Sequence, residues 1–344
     1  MTTAQEEPFA SLDDSPNPFS ELGDEEPEGR DLPVKRGRYA ATHPVTGKPG
    51  TFMRATNLAK TLADTYHLDR WQLRVVAKGM AMRPDLCELA HGMDVTDDKE
   101  DLQEIAEKAR EAAGANKGAN MGTALHKHCE RLDAGESIDS LKLSAGSRRD
   151  VEAYRDFLTE KGIEILPYYC ERPVFNTETN TIGRIDKIGW DRELWPLPRI
   201  VDLKTQKSMD FGGLEMSVQL AQYGYANWMW IREESRWIPM PELDKETAIV
   251  IHLPVGKASP EDYEVPIDKG WSYAMLSLQT KTAQREGRGL IKRVPDDREY
   301  RVRFRKATTR EEFSAIYRDA FTAGKWSKEL ERYSVGIFKT LPNV

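Results

Sequence analysis

The sequence predicts a mixed α/β fold, in which helices precede and follow a group of short β-strands. Two features of the 344-residue chain carry this prediction. Up to about residue 161, apolar residues recur at three- and four-residue spacing, which is typical of helices that pack on one face. The pattern then changes to short, β-branched segments with partial alternation, which is typical of strands. A chain of this length has room for about two domains.

The first half of the chain is expected to be helical. Apolar residues at helical spacing predict one helix over residues 56–80 and another over residues 149–161. Between them, residues 99–132 form either one helix or two helices that break near Gly114. A glycine inside a helical pattern favours such a break.

Strands dominate the middle of the chain. They are expected at residues 173–178, 181–190 and 199–205, then at residues 247–253, with an edge strand at residues 263–267. Turn residues separate the first three, which predicts an antiparallel meander. Helices are expected over residues 213–231 and 271–287.

The C-terminal residues predict a small helical extension, residues 307–344. Thr309 and Glu312 have the spacing of a capping box, and apolar residues at helical spacing follow them. A last helix is expected over residues 327–338. Residues 37–306 would then form the main domain.

Charge is distributed unevenly. Residues 1–34 contain ten acidic residues and one basic residue, a balance of −9, whereas the whole chain carries −7, so the remainder carries +2. The composition of residues 1–36 predicts a disordered acidic tail. Its simplest role is to keep the chain in solution, and the alternative is competition with DNA for a basic site. The mildly basic remainder permits nucleic-acid binding.

Several classes of protein are not expected. No apolar run is long enough for a transmembrane helix, so no membrane partner is predicted. The first residues lack the basic and apolar regions of a signal peptide. The three cysteines, Cys87, Cys129 and Cys170, are dispersed, which favours free thiols in a cytoplasm.

The residues that carry chemistry begin with Asp202 and Lys204. Side chains alternate along a strand, so these two share one face while Val201 and Leu203 face the core. Asp186 lies on the preceding strand, where the register can bring it beside Asp202. Two such carboxylates repel each other without a cation between them, and oxygen ligands suit Mg²⁺ or Mn²⁺. The alternative is a surface Asp–Lys pair, since this triplet is common.

Two helical fragments add to this pair. His126 and Glu130 are four residues apart and share a helix face, and the absence of side chains at Gly118 and Gly122 allows close approach to a sheet or to a DNA backbone. The alternative is a solvated helix face. Farther along, Gln219 and Tyr223 share a face and offer neutral groups that hydrogen-bond phosphate oxygens.

Four motifs in order resemble the RecB-like exonuclease branch of the PD-(D/E)XK nuclease superfamily, of the small stand-alone phage and bacterial type. They are G-x-x-x-H-x-x-x-E at Gly122–Glu130, G-R-I-D at Gly183–Asp186, D-L-K-T at Asp202–Thr205 and Q-x-x-x-Y at Gln219–Tyr223. The resemblance implies a restriction-endonuclease-like core, αβββαβ, with added helices.

The same resemblance implies roles for individual residues. It makes His126, Asp186 and Asp202 metal ligands together with the Leu203 carbonyl. Asp186, Asp202 and Lys204 would be catalytic, Gln219 and Tyr223 would bind substrate, and Glu130 and Glu171 are further candidates for the site.

The function implied is a Mg²⁺- or Mn²⁺-dependent DNA exonuclease that hydrolyses phosphodiester bonds with water, in recombination, repair or phage DNA processing in the cytoplasm. DNA is the expected partner, and a recombination or single-strand-binding protein and self-association remain open. Neither an iron–sulfur cluster nor ATP is expected, because three dispersed cysteines cannot supply four ligands and no phosphate-binding loop occurs. A structure-selective endonuclease and a non-catalytic DNA-binding or assembly module are the alternatives.

Overall fold

The computed structural model describes residues 31–291 and 296–342. The chain divides into two compact units, Met1–Thr282 and Ala283–Val344. Most of the acidic tail expected over residues 1–36 lies outside the described residues. Residues 31–36 differ from that expectation, because they contain the short strand β1, Val34–Lys35, and the buried side chain of Leu32.

The described part of the first unit contains two mixed sheets. The larger one has the strand order β1-β2-β3-β6-β5-β9-β10. Its other strands are β2 Arg38–Thr42, β3 Pro49–Arg54, β5 Pro173–Asn176, β6 Thr181–Arg184, β9 Trp228–Ile231 and β10 Arg236–Pro239. Neighbouring strands are antiparallel except β3 and β6, which run parallel.

The smaller sheet has the order β12-β11-β8-β7-β4. Its strands are β4 Glu164–Ile165, β7 Lys187–Trp190, β8 Arg199–Lys204, β11 Thr247–His252 and β12 Glu261–Pro266. The central pair, β8 and β11, is parallel, and the other pairs are antiparallel. A parallel pair needs a crossover connection, and the chain between β8 and β11 includes a helix, as the sequence predicts.

The helices of the first unit are α1 Ala55–Ala59, α2 Tyr66–Met82, α3 Pro84–Ala90, α4 Lys99–Ala112, α5 Lys117–Asp133, α6 Ala145–Glu160, α7 Gly213–Gly224 and α8 Ile267–Gly287, which continues past the boundary at Thr282. Within the described residues, no helix combines the length and the apolar character needed to cross a bilayer.

Helices cover both faces of the smaller sheet. Val201 of β8 packs with Leu125 of α5 and Tyr154 of α6 on one face. Ile200 packs with Leu220 of α7 on the other. This three-layer arrangement confirms the α/β class and explains why the central strands are almost continuously apolar.

Several expected elements are confirmed. The stretch over residues 99–132 is two helices, α4 and α5, separated near Gly114. Helix α6, strand β11 and the edge strand β12 also occur where the pattern predicts them.

Three expectations are wrong in detail. Residues 56–80 form two α-helices, α1 and most of α2, joined by a 3₁₀ turn at Lys60–Leu62. The expected strand over residues 181–190 is two strands, β6 and β7, in different sheets. The helix expected over residues 213–231 ends at Gly224, and Trp228–Ile231 pairs with β5 and β10 instead.

The second unit is a group of three helices with its own core. They are α9 Arg298–Lys306, α10 Arg310–Thr322 and α11 Lys328–Phe338. The capping box at Thr309 and Glu312 is confirmed. Tyr300 and Phe304 of α9 pack with Phe313 of α10, so this unit begins before the extension expected at residue 307.

Candidate active site

The G-R-I-D segment passes from the larger sheet to the smaller one. Ile185 donates its N–H to the Arg172 carbonyl, and the carbonyl of Asp186 accepts from the Glu171 N–H at 2.9 Å. The side chain of Asp186 therefore lies against β8, where its Oδ2 accepts the Leu203 N–H at 3.0 Å. The expected proximity of Asp186 to Asp202 follows from this contact.

The packing around Gly183 leaves no room for a side chain. A Cβ at this position would lie 2.2 Å from Cε1 of Tyr223 and 3.0 Å from the Cβ of Ala55. Gly122 of α5 is similar, since a Cβ there would lie 2.6 Å from Oγ1 of Thr205, just after β8. This contact confirms that Gly122 allows the helix to approach the sheet.

Asp202 is a buried carboxylate that pairs with one ammonium group. It is 1% exposed, and neither of its oxygens has a hydrogen-bond partner among the described residues. The Lys204 Nζ lies 2.6 Å from Asp202 Oδ2 as an ion pair. Burial, and then the negative charge of Asp186, raise the pKa of Asp202 to about 6. Burial lowers the pKa of Lys204, but the nearby Asp202 and Asp186 carboxylates raise it by more than burial lowers it. The net shift is upward, so the ammonium stays charged.

The ring of His126 forms hydrogen bonds with two carboxylates. Its Nε2 lies 2.9 Å from Asp186 Oδ2, and its Nδ1 lies 2.5 Å from Glu130 Oε1. Burial alone would lower the pKa of His126, but the hydrogen bonds to Asp186 and Glu130 raise it to about 10. An imidazolium can donate from both nitrogens, as both acceptors require. Burial opposes ionisation of Asp186, but the hydrogen bond from His126 and the nearby positive charges bring its pKa down to about 2.

Glu171 completes the acidic side of the site. Its backbone has a φ of +53°, which is uncommon for a residue other than glycine. Its Oε1 is buried without a hydrogen-bond partner in the described part of the chain. Burial and the charges of Glu130 and Asp186 raise the pKa of Glu171 to about 8. One ligand atom each from His126, Glu130 and Glu171 can lie within 4.8 Å of the others.

His126, Glu130, Glu171 and Lys204 border a cavity of about 1320 Å³, whereas Asp186 and Asp202 do not line it. Acidic groups occupy one part of its wall, namely Glu130 and Glu171 around His126. The other charged side chains of the wall are basic: Lys127, Arg184, Lys204, Lys207, Arg232 and Lys257. Such a wall favours a large polyanion.

A buried carboxylate fixes the loop that carries Lys257. Asp150 of α6 is 3% exposed, and its two oxygens accept the N–H groups of Gly256 and Ala258 at 2.7 and 2.9 Å. The loop after β11 is thereby held at the edge of the cavity.

Gln219 and Tyr223 bond to each other. The amide of Gln219 donates to the Tyr223 hydroxyl at 2.9 Å, and Tyr223 is buried against Gly183. Neither residue lines the cavity. Trp228 and Trp230 are half-buried and pack against the core of the larger sheet.

A buried ion pair close to the site lies outside the four sequence motifs. Lys187 of β7 is 1% exposed; its Nζ pairs with Asp133 of α5 and donates to the Tyr154 hydroxyl at 2.9 Å. Tyr154 also donates to Asp133. These contacts join the helix of His126 to the strand that follows Asp186.

The structure thus brings His126, Asp186, Asp202, Leu203 and Lys204 together, with Glu130 and Glu171 beside them. The residues that sequence reasoning missed are Arg184, Arg232 and Lys187. Arg184 lies inside the G-R-I-D motif, whereas the other two carry no local signal. The sequence matches no protein-family model, and no curated protein is significantly similar to it.

Proposed function

We propose that the chain is a divalent-metal-dependent deoxyribonuclease that hydrolyses phosphodiester bonds with water. The observation that carries the proposal is the pair of neighbouring buried carboxylates, Asp186 and Asp202, of which Asp202 accepts no well-aligned hydrogen bond in the described residues and forms one ion pair, with Lys204. A buried charge of this kind is costly unless a cation compensates it.

The donor set fits Mg²⁺ or Mn²⁺. Oxygens of Asp202 and Glu171 that accept no hydrogen bond in the described residues are hard ligands of the type that these ions bind. His126, Asp186 and Asp202 would hold the ion together with the Leu203 carbonyl, and Glu171 is a further candidate. When bound, the ion would polarise the phosphodiester and lower the pKa of a water molecule.

Each side chain then has a definable task. As a ligand, His126 would release the proton on Nε2 to solvent, and its Nδ1–H would donate to Glu130, which fixes the ring orientation. Carboxylates in this position commonly orient a ligating histidine. Lys204 stays protonated, so it serves to position the attacking water and to offset negative charge that develops on the phosphate.

The basic part of the cavity wall supports DNA as the substrate. Lysine and arginine side chains neutralise backbone phosphates without reading sequence. The narrower proposal, an exonuclease in recombination, repair or phage DNA processing, rests on the order of motifs. If it is correct, linear DNA is degraded and covalently closed circles are not; cleavage of circles would favour a structure-selective endonuclease.

The test is digestion of end-labelled single- and double-stranded DNA with Mg²⁺ or Mn²⁺. We expect Lys204→Ala and Asp202→Asn to lower the cleavage rate at least roughly 100-fold, and EDTA to stop cleavage. Lys161→Ala is the control, because Lys161 forms an exposed ion pair with Asp262 outside the cavity. Circular dichroism checks that each variant folds.

The non-catalytic alternative has a distinct outcome. Metal-independent DNA binding with no cleavage, in a folded wild-type chain, would refute the nuclease and favour a binding module. Thermal unfolding adds a second readout, since an ion bound only by the folded state raises Tm. Mn²⁺ should raise the Tm of the wild type and have little effect on Asp202→Asn.

A further inference from the structure

Two arginines at the edge of the cavity converge on one carboxylate. Arg184 is the last residue of β6, and Arg232 directly follows β9. Arg184 donates from Nη2 to Asp31 Oδ2, and Arg232 Nε lies 3.4 Å from Asp31 Oδ1. Both arginines line the cavity of the candidate active site. Asp31 thus pairs with two arginines that face that cavity.

The arginines retain hydrogen-bonding capacity that Asp31 does not use. Nε of Arg184 and Nε of Arg232 are both buried without a hydrogen-bond partner in the described residues. Arg232 also donates to the main-chain carbonyl of Glu171, which fixes its guanidinium near the acidic side of the site. Two guanidinium groups facing one carboxylate leave a local excess of positive charge and of N–H donors. A phosphodiester adds two ester oxygens to its two non-bridging acceptors, and a terminal phosphate has three free oxygens and up to two charges, so either offers the pair more acceptors than a carboxylate does.

We propose that Arg184 and Arg232 form a binding subsite for a DNA phosphate beside the scissile one, and that Asp31 occupies this subsite as an internal competitor. The identification of the anion with DNA rests on the proposed function. Arg184 lies two residues before Asp186, so the subsite adjoins the carboxylates. Nine further acidic residues precede Asp31 in the sequence, so the part of the chain that carries Asp31 is strongly anionic.

The experiment compares Asp31→Asn with Asp156→Asn. Both changes remove one negative charge, but Asp156 pairs with Arg155 on the exposed surface of α6. The amide introduced by Asp31→Asn keeps an oxygen that can accept the Leu32 N–H, as the carboxylate of Asp31 does at 2.9 Å. DNA affinity is measured by fluorescence anisotropy in EDTA, so that cleavage does not enter. We expect Asp31→Asn to bind DNA roughly fivefold or more tightly than Asp156→Asn.

The gain in DNA affinity of Asp31→Asn should depend on the two arginines. Adding Arg184→Gln or Arg232→Gln to Asp31→Asn should abolish it. The salt dependence of binding should also steepen in Asp31→Asn by about one ion, because the two arginines gain one phosphate between them. Oligonucleotides with phosphorylated or hydroxyl ends separate two sources of the phosphate. A gain confined to phosphorylated ends assigns the subsite to a terminal phosphate, and an equal gain assigns it to the internal backbone.

Inorganic phosphate separates this inference from the nuclease proposal. If no variant binds DNA, but phosphate raises the Tm of Asp31→Asn more than that of Asp156→Asn, the subsite stands and the nuclease proposal falls. If neither DNA nor phosphate distinguishes the two variants, the subsite is refuted, even where cleavage depends on Lys204.

Discussion

Lys187 places an ammonium in the core directly after Asp186. Its charge is compensated by Asp133, with Tyr154 bonded to both. Removing one member of a buried pair leaves the other charge uncompensated, which costs more than the pair itself contributes. We expect Lys187→Met to lower the free energy of unfolding by about 3–5 kcal/mol, as measured by urea denaturation.

Two further variants make this prediction specific. Replacing both charges, in Lys187→Met with Asp133→Leu, should recover part of the loss because no buried charge then remains. Arg192→Gln is the surface control, since Arg192 and Glu164 form an exposed pair worth less than about 1 kcal/mol. Equal losses in Lys187→Met and Arg192→Gln would contradict the assignment of a buried, compensated ion pair.

At the scale of single residues, the sequence was informative where spacing is local. The proximity of Asp202 to Lys204 and of His126 to Glu130 follows from strand and helix periodicity. Contacts across sheets carry no such signal. The bond between His126 and Asp186 joins residues 60 positions apart, and that between Asp31 and Arg184 spans 153. The roles of Arg184 and Arg232 therefore appear only once the sheets are assembled.

At the scale of elements, the packing of strand β6 depends on the absence of a side chain at Gly183. A Cβ there would lie 2.2 Å from the ring of Tyr223, a buried side chain with little room to move. Overpacking of this kind typically costs about 1–3 kcal/mol. We expect Gly183→Ala to destabilise the chain by that amount and to lower DNA cleavage, because β6 leads directly to Asp186.

The matched control is Gly146→Ala in α6. A Cβ at Gly146 meets no described atom within 4 Å, and alanine is the better helix former. This variant should be as stable as the wild type or more stable, with unchanged cleavage. If urea denaturation and cleavage assays rank the two alanine variants equally, the close packing of Gly183 is not what the strand requires.

Element boundaries were harder to predict than element types. β-branched residues recur along residues 181–190, at Thr181, Ile182, Ile185 and Ile188, and no turn signal separates them, so the pattern does not mark the transfer between sheets at Ile185 and Asp186. The aromatic run Trp228–Ile231 continues the apolar pattern of α7, although it alternates in exposure as a strand does. Tertiary pairing with β5 decided its conformation, as it often does for short apolar segments. The hairpin of β2 and β3 is not among the elements that the sequence pattern predicts.

At the scale of the whole molecule, all candidate site residues belong to the first unit. The second unit has a separate core built from α9, α10 and α11. We therefore expect a chain that ends at Leu290 to retain its fold and metal-dependent cleavage, as measured with end-labelled DNA. Loss of cleavage in a truncated chain that still unfolds cooperatively would show that the second unit takes part in the reaction.

The parallel pairing of β3 with β6 bears on the order in which the chain folds. Met53 and Thr181 are neighbours in the sheet although they lie far apart along the sequence. During synthesis, β3 is complete long before β6 leaves the ribosome, and it presents an open edge until then. Non-local pairing is slow, and exposed edges are where nascent chains associate with one another. The carboxylates of the site also come together late, because translation must first pass both Asp186 and Asp202.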